Sequence, residues 1–323
     1  MNPTPSSAPS SAPSSAPSSA QRLRLALGPV RYYWSAQALR DFYAEIADSA
    51  VDIVYLGEVV CAKRRAFGSD DWLALAETLS ARGKEVVLST LTLIEAASEL
   101  GGVERLCANP RFAVEANDMA AVALRTRRAA GLPFIAGASL NLYNPRSLAV
   151  LAAQGMSRWL PPVEMNREAV ATMIAAAPDG VQTEIFAYGR LPLAWSARCF
   201  TARAHGLPKD QCGFRCLDDP DGLLLRTREQ RPFLVANGIE TQSALTHNLL
   251  AEVPELAAMG VDVLRISPQA EHTAAVIDAF DRRREGSLAT EDARDTLNGL
   301  MPSGPCNGYW HGDAGMGMAE PGF

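Results

Sequence analysis

Eight short apolar runs, most of them followed by a segment of helical period, set the strongest limit on what this 323-residue chain can fold into. The runs are LRLALG (23–28), VDIVYLGE (51–58), EVVLSTL (85–91), RFAVEAN (111–117), PFIAGAS (133–139), SRWLPPV (157–163), TEIFAYG (183–189) and VDVLRIS (261–267). Near-continuous apolar stretches rich in β-branched residues describe strands buried on both faces, as in a parallel sheet covered by helices. Helical segments are predicted over 36–49, 70–83, 118–131, 145–155, 166–177 and 271–284. Asp70, Asp118 and Asn166 stand at N-cap positions, where a short side-chain oxygen satisfies a free N–H of the first turn. Gly83, Gly131 and Gly155 follow the last turn, where a left-handed residue ends a helix. Even recurrence of these units predicts an α/β fold, a closed (β/α)8 TIM-type barrel over 22–285; an open doubly wound sheet is the competing arrangement.

Three stretches fall outside the rhythm. Residues 1–21 repeat Pro-Ser-Ser-Ala and offer nothing to a core, so they are expected to form a disordered tail. Residues 286–323 form a C-terminal extension. Between strands seven and eight lies an insertion at about 190–260, predicted to hold a short hairpin (LLLRT and RPFLVANG) and a helix over SALTHNLLAEVPELAAMG. A connection this long is uncommon without a function, and it leaves the C-terminal end of strand seven, the face on which barrel enzymes place their chemistry.

Charge excludes some function classes. A formal net charge of −6, with no Lys/Arg run interleaved with aromatics, argues against direct nucleic-acid binding. No stretch reaches the roughly 20 apolar residues of a membrane span, and the first residues lack the charged and apolar regions of a secretory signal. The expected location is the cytoplasm, where six cysteines read as thiols, metal ligands or catalysts rather than a disulfide framework.

Three of the six cysteines, Cys199, Cys212 and Cys216, crowd into eighteen residues of the insertion, CFTARAHGLPKDQCGFRC (199–216). Cys61 lies three residues past Glu58 at the end of strand two, so it opens onto the same barrel face. Four thiolates suit tetrahedral zinc or an iron–sulfur cluster, because both favour soft sulfur donors. Zinc knuckles pair their ligands at Cys-x2-4-Cys, whereas here one near pair is joined by two distant cysteines, a reach that suits a cubane. Four free thiols are the competing reading. His205 reads as a solvated loop residue, and Cys107 and Cys306 as thiols outside the site.

The run TEIFAYGRLPLAWSARCFTARAHGLPKDQCGFRC (183–216) resembles the signature of the collagenase-like peptidases of unassigned mechanism. Pro192 stands where most members carry their first cysteine and Ala197 replaces a usual glycine. That departure resembles the branch serving oxygen-independent ubiquinone biosynthesis, in which an N-terminal cysteine supplies the missing ligand; Cys61, in VYLGEVVCAKRR, matches it. Further likeness runs through LNLYN (140–144), PPVEM (161–165), DVLRISPQ (262–269) and the terminal NGYWHG. The resemblance implies a 4Fe-4S cluster on Cys61, Cys199, Cys212 and Cys216, and a heterodimer with a UbiU-like sister protein, with a possible lipid-carrier accessory protein. It also implies hydroxylation of a ubiquinone precursor without dioxygen, the oxygen coming from a donor such as prephenate. A zinc-dependent or thiol peptidase and a non-catalytic scaffold for a partner barrel remain alternatives.

Glu58, Asn141, Glu164, Glu184 and Arg265 fall at or near strand ends, where they either bind a ligand or serve as caps and ion pairs. Arg265 is the foremost candidate, because a buried strand tolerates a charge only if it is paired or reaches the mouth, where it would bind a carboxylate. Glu58 and Glu184 are the other candidate catalytic groups. No Gly-x-Ser-x-Gly or His-Glu-x-x-His motif supports a proteolytic mechanism.

Overall fold

The computed structural model describes residues 22–319; the expected tail at 1–21 lies outside them. Seven strands follow one another around the barrel: β1 (Arg24–Leu27), β2 (Ile53–Leu56), β3 (Glu85–Ser89), β4 (Ala113–Ala116), β5 (Phe134–Ala136), β6 (Met156–Trp159) and β7 (Gln182–Trp195). Three more strands, β8 (Leu223–Arg226), β9 (Pro232–Asn237) and β10 (Glu240–Asn248), precede the eighth barrel strand, β11 (Val263–Ile266). β11 pairs in parallel with both β7 and β1, from Val263 against Glu184 to Leu27 against Ile266. The barrel is therefore closed, and the open doubly wound sheet is excluded.

Helices α1 (Ala36–Ala47), α2 (Ser69–Ala81), α3 (Ala97–Cys107), α4 (Met119–Arg128), α5 (Pro145–Ala152) and α6 (Arg167–Ala175) cover the outside. Their apolar faces join the outward strand residues in one core that runs from Leu25 and Leu27 to Ile266 and Phe280. Asp118 and Asn166 cap as the sequence predicts, accepting from the N–H groups of Ala120 and Ala169. Asp70 does not: Gly68 is the N-cap and α2 begins at Ser69, and it is Asp71 that accepts from the Gly68 N–H at 2.8 Å. α3 is a helix not predicted from the sequence; it contains the adjacent weak helix formers Gly101 and Gly102 and buries Val103, Leu106 and Cys107.

The insertion departs most from expectation. β7 does not stop at Gly189 but continues to Trp195, and its distal half pairs antiparallel with β10. The expected helix over 243–260 is strand to Asn248, with helix only in α8 (Val253–Ala258). Thr241, Gln242, Ser243 and Thr246 find ladder partners between β7 and β9, and this pairing overrides the local helical pattern. The predicted hairpin is β8–β9. Between β7 and β8 the chain forms the short helix α7 (Phe200–Ala204) and the two single turns that carry Cys212 and Cys216. After α9 (Thr273–Arg284) and α10 (Thr290–Thr296), the C-terminal extension returns to the sheet: β12 (Pro305–Cys306) pairs with β10, and α11 (Gly308–His311) follows. None of the described helices is long and apolar enough to cross a membrane.

Candidate functional site

Polar side chains fill much of the barrel interior. At its N-terminal end Arg24 donates to Glu85 at 2.6 Å and to Gln182 at 3.1 Å, and Arg158 donates to Glu85, Gln182 and the Tyr55 hydroxyl. Tyr55 in turn donates to Glu184. Above it the Arg265 guanidinium donates to Glu184 at 2.6 Å and to Glu115 at 2.5 Å, and lies over the Tyr55 ring at 3.9 Å. Glu115 also accepts from Ser89 and Asn117. Burial alone raises the Glu184 carboxyl, but the Arg265 and Arg158 charges outweigh it and hold Glu184 below the usual carboxylate value.

This geometry settles the candidates at strand ends. Arg265 reaches the mouth as expected, but as a paired group: two carboxylates hold it, and only its Nη2 lacks a partner within the protein. Glu184 is wholly buried and fully engaged. Asn141 ends a single turn in the left-handed conformation, and Glu164 is an exposed acceptor for the Tyr143 hydroxyl. The mouth cleft beside Arg265, walled by Phe186, Pro192, Trp195 and Ser267, holds about 30 Å³. That is room for small polar groups rather than for a ring.

Glu58 serves the cysteine loop. Its carboxylate accepts from the N–H groups of Val60 at 2.8 Å and Cys61 at 3.0 Å, so it fixes the turn that presents Cys61 just past β2. Cys61 and Cys199 pack against the same small apolar cluster of Val59, Val60 and Ile239. Cys199 is the N-cap of α7, its Sγ accepting from the Ala202 N–H at 3.4 Å. The Lys63 ammonium donates to Asp210 at 2.6 Å and to the Lys209 carbonyl at 3.2 Å, tying the Cys61 loop to the turn that ends at Cys212. Burial raises the Cys61 thiol, and charge on Cys199 raises it further; burial likewise raises Cys216, with Arg64 opposing and Cys199 and Cys212 adding to it. The four thiols from β2–α2 and from the insertion are therefore neighbours. Among the described residues no group of three or more His, Cys, Asp or Glu side chains stands in ligating geometry.

As donors the four fit a 4Fe-4S cluster: they are soft, they come from separate segments, and cations adjoin them. The chief cation is Arg64, buried and not foreseen from the sequence. It lies beside Cys61 and Cys216, donates to the Arg31 carbonyl at 2.7 Å and to Asn237 at 2.7 Å, and stands over the Tyr33 ring. Asn237 donates on to Glu240, which accepts from Arg31, and Arg31 stacks on Trp195 at the mouth cleft. A buried hydrogen-bonded chain thus joins the thiols to the barrel mouth. The run CAKRR (61–65) sets Arg64 beside Arg65, and nothing in it separates the buried arginine from the exposed one. His205 is exposed, while Cys107 and Cys306 are buried apart from the quartet, under α4 and in β12.

A closed (β/α)8 barrel with a cysteine-bearing excursion past its seventh strand is the class of protein that this fold and site define. The sequence profile of Peptidase family U32 matches residues 34–319, and the chain belongs to that family. Among solved structures it is similar to the U32 peptidase Mk0906 at 11% identity, over 80% of this chain and 97% of that one, with a TM-score of 0.43. It is also similar to a dihydrodipicolinate synthetase-like protein from Pseudomonas aeruginosa (7% identity, 85% and 81% covered, TM-score 0.47). Dihydropteroate synthase from Stenotrophomonas maltophilia is a third (12% identity, 83% and 94% covered, TM-score 0.41).

Proposed function

We propose that this chain is a UbiV-like iron–sulfur subunit, acting in the cytoplasm with a UbiU-like sister protein in the dioxygen-independent hydroxylation of ubiquinone precursors. The observation that carries the reading is the gathering of Cys61 with Cys199, Cys212 and Cys216 beside the buried Arg64 guanidinium. A 4Fe-4S cluster held there would supply electron relay. Each protein group has a part in holding it. Glu58 fixes the Cys61 turn, the Cys199 position is set by α7, and Arg64 and Lys63 offset the negative charge that four thiolates bring together. Since four thiolates would occupy all four irons, the substrate and an oxygen donor such as prephenate belong elsewhere, on this chain or its partner, with delivery by a lipid-carrier protein as a further expectation.

Purification without air tests the reading. The expected protein is brown, with about four irons and four acid-labile sulfides per chain, and loses both when Cys61 or Cys212 is replaced by alanine. Colourless, iron-free anaerobic protein would sink it. Stoichiometric zinc with an activity that survives air would favour a metallopeptidase instead. Full function of the Cys212→Ala protein with its sister chain would favour a scaffold.

A further inference from the structure

The largest of the described cavities is not at the barrel mouth. It lies outside β2 and β3, between the loop that carries Cys61 and helices α2 and α3, and encloses about 510 Å³. That falls in the range of pockets that take a whole small molecule. Its floor is apolar, made by Phe67, Trp72, Leu91, Val103 and Leu106. On the α3 side the wall is bare backbone at Gly102, where a side chain would meet nothing within 4 Å.

The charges on the walls select a ligand class. Lys63, Arg64 and Arg65 line the cavity with Glu58 and Glu99; Arg64 pairs with Glu58 at 3.7 Å and Lys63 with Asp210, so Arg65 is the lining cation without an ion pair among the described residues. Glu58 is engaged with the Val60 and Cys61 N–H groups and Glu99 with the Glu95 N–H. Arg65 stands exposed on the rim. The Arg64 side chain is 1% exposed, and its Nε has no partner within the protein. An apolar floor beneath an unpaired guanidinium and a buried free N–H matches an amphipathic molecule with one acidic group.

We infer that this cavity is a binding site for a largely apolar monocarboxylate, with its body on Phe67, Trp72 and Leu106 and its carboxylate toward Arg64 and Arg65. The site is formed by the cavity's own walls and draws on Arg64, the cation that also adjoins Cys61 and Cys216. It shares a wall with the cysteines, since residues 62–65 run from Cys61 directly along the cavity.

Calorimetric titration of the full chain with decanoate tests the inference, with decanol and acetate as controls. Decanoate should bind one to one, acetate should not bind, and decanol should bind more weakly. Gly102→Phe fills the open space and should weaken decanoate at least tenfold, whereas Gly102→Ala should bind as the unaltered protein does. Ser98→Phe, on an exposed position of the same wall, repeats the test if Gly102→Phe fails to fold. Arg65→Gln should weaken decanoate by about threefold, the size of an exposed charge contact. Absence of saturable decanoate binding, or unchanged binding in a folded filling variant, would overturn the site. Equal affinity for decanol and decanoate would overturn the assignment of an acidic ligand.

Discussion

The Cys61 N–H donates to the Glu58 carboxylate at 3.0 Å, and the Val60 N–H donates to the same oxygen at 2.8 Å. One side chain thereby satisfies two backbone donors in the turn that delivers Cys61 to the other three thiols. Glu58→Ala leaves both donors in a partly buried turn, at a cost of about 1–3 kcal/mol, while Glu58→Gln keeps an acceptor oxygen in place. Chemical denaturation should therefore show the alanine variant markedly less stable than the glutamine variant. Alkylation of Cys61 in the metal-free protein should quicken in the alanine variant only, because the loosened turn exposes the thiol.

Gly57 precedes this turn with φ at +146°, and a side chain there would stand 2.2 Å from the Ser89 carbonyl oxygen. Gly57→Ala meets both obstacles at once, since the conformation is one that L residues rarely adopt and the obstruction is backbone in the neighbouring strand. Backbone strain alone costs about 1–3 kcal/mol. The expected outcome is a lowered melting temperature together with displacement of the Glu58–Cys61 turn, seen as loss of amide protection at Val60 and Cys61. A melting temperature equal to that of the unaltered protein would mean that the two strands separate at no cost here.

Much of the barrel is legible in the chain because its strands are buried on both faces and leave continuous apolar runs; Ile53–Leu56 is buried at every position. Legibility fails where pairing decides. Residues 243–248 read as the start of a helix through 260 because of the leucines and alanines that follow, and become strand because β7 runs on to Trp195 and offers them an edge. At the site, the quartet of cysteines stands out by residue type and crowding. The groups that surround it do not: Arg64 and the Asn237–Glu240 pair of the β9–β10 hairpin lie 173 positions apart in the chain, and each looks like an ordinary surface residue until the fold buries them together. Arg265 stood out as a charge in an apolar run, but its partner Glu115 sits 150 positions away, beyond any local pattern.

Arg265, Glu115 and Glu184 form a buried triad, with each member 4% exposed or less. Arg265→Met removes the cation and leaves two carboxylates facing each other in the barrel. Breaking a buried pair in this way costs about 3–5 kcal/mol. Because Glu184 is held below its ordinary value, the stability it contributes is present above the unfolded carboxylate range and is lost as pH falls through its folded value. In the Arg265→Met protein that carboxyl rises, so the sign reverses and the deficit should shrink as pH is lowered. Adding Glu184→Gln to Arg265→Met should recover part of the loss at neutral pH, measured by denaturant midpoint. No recovery would show that packing, not charge, dominates the triad.

His247 adds a second source of stability loss on the acid side of the pH profile. Its ring is 4% exposed, tilted against Phe186 at 6.2 Å, and burial lowers its pKa from 6.5 to about 4. In the unfolded chain the ring takes up a proton near 6.5, whereas the folded protein resists protonation until pH 4 or so. The unfolded state binds more protons in that window, so stability is complete above the unfolded value and falls as pH drops from about 6.5 toward 4, by roughly 3 kcal/mol in all. His247→Gln keeps a polar side chain of similar reach without a titrating ring. Its denaturation free energy should be flatter than that of the unaltered protein across this window and nearly parallel to it above pH 7. Identical slopes in the two proteins would mean that the ring titrates in the folded protein as it does in the unfolded chain.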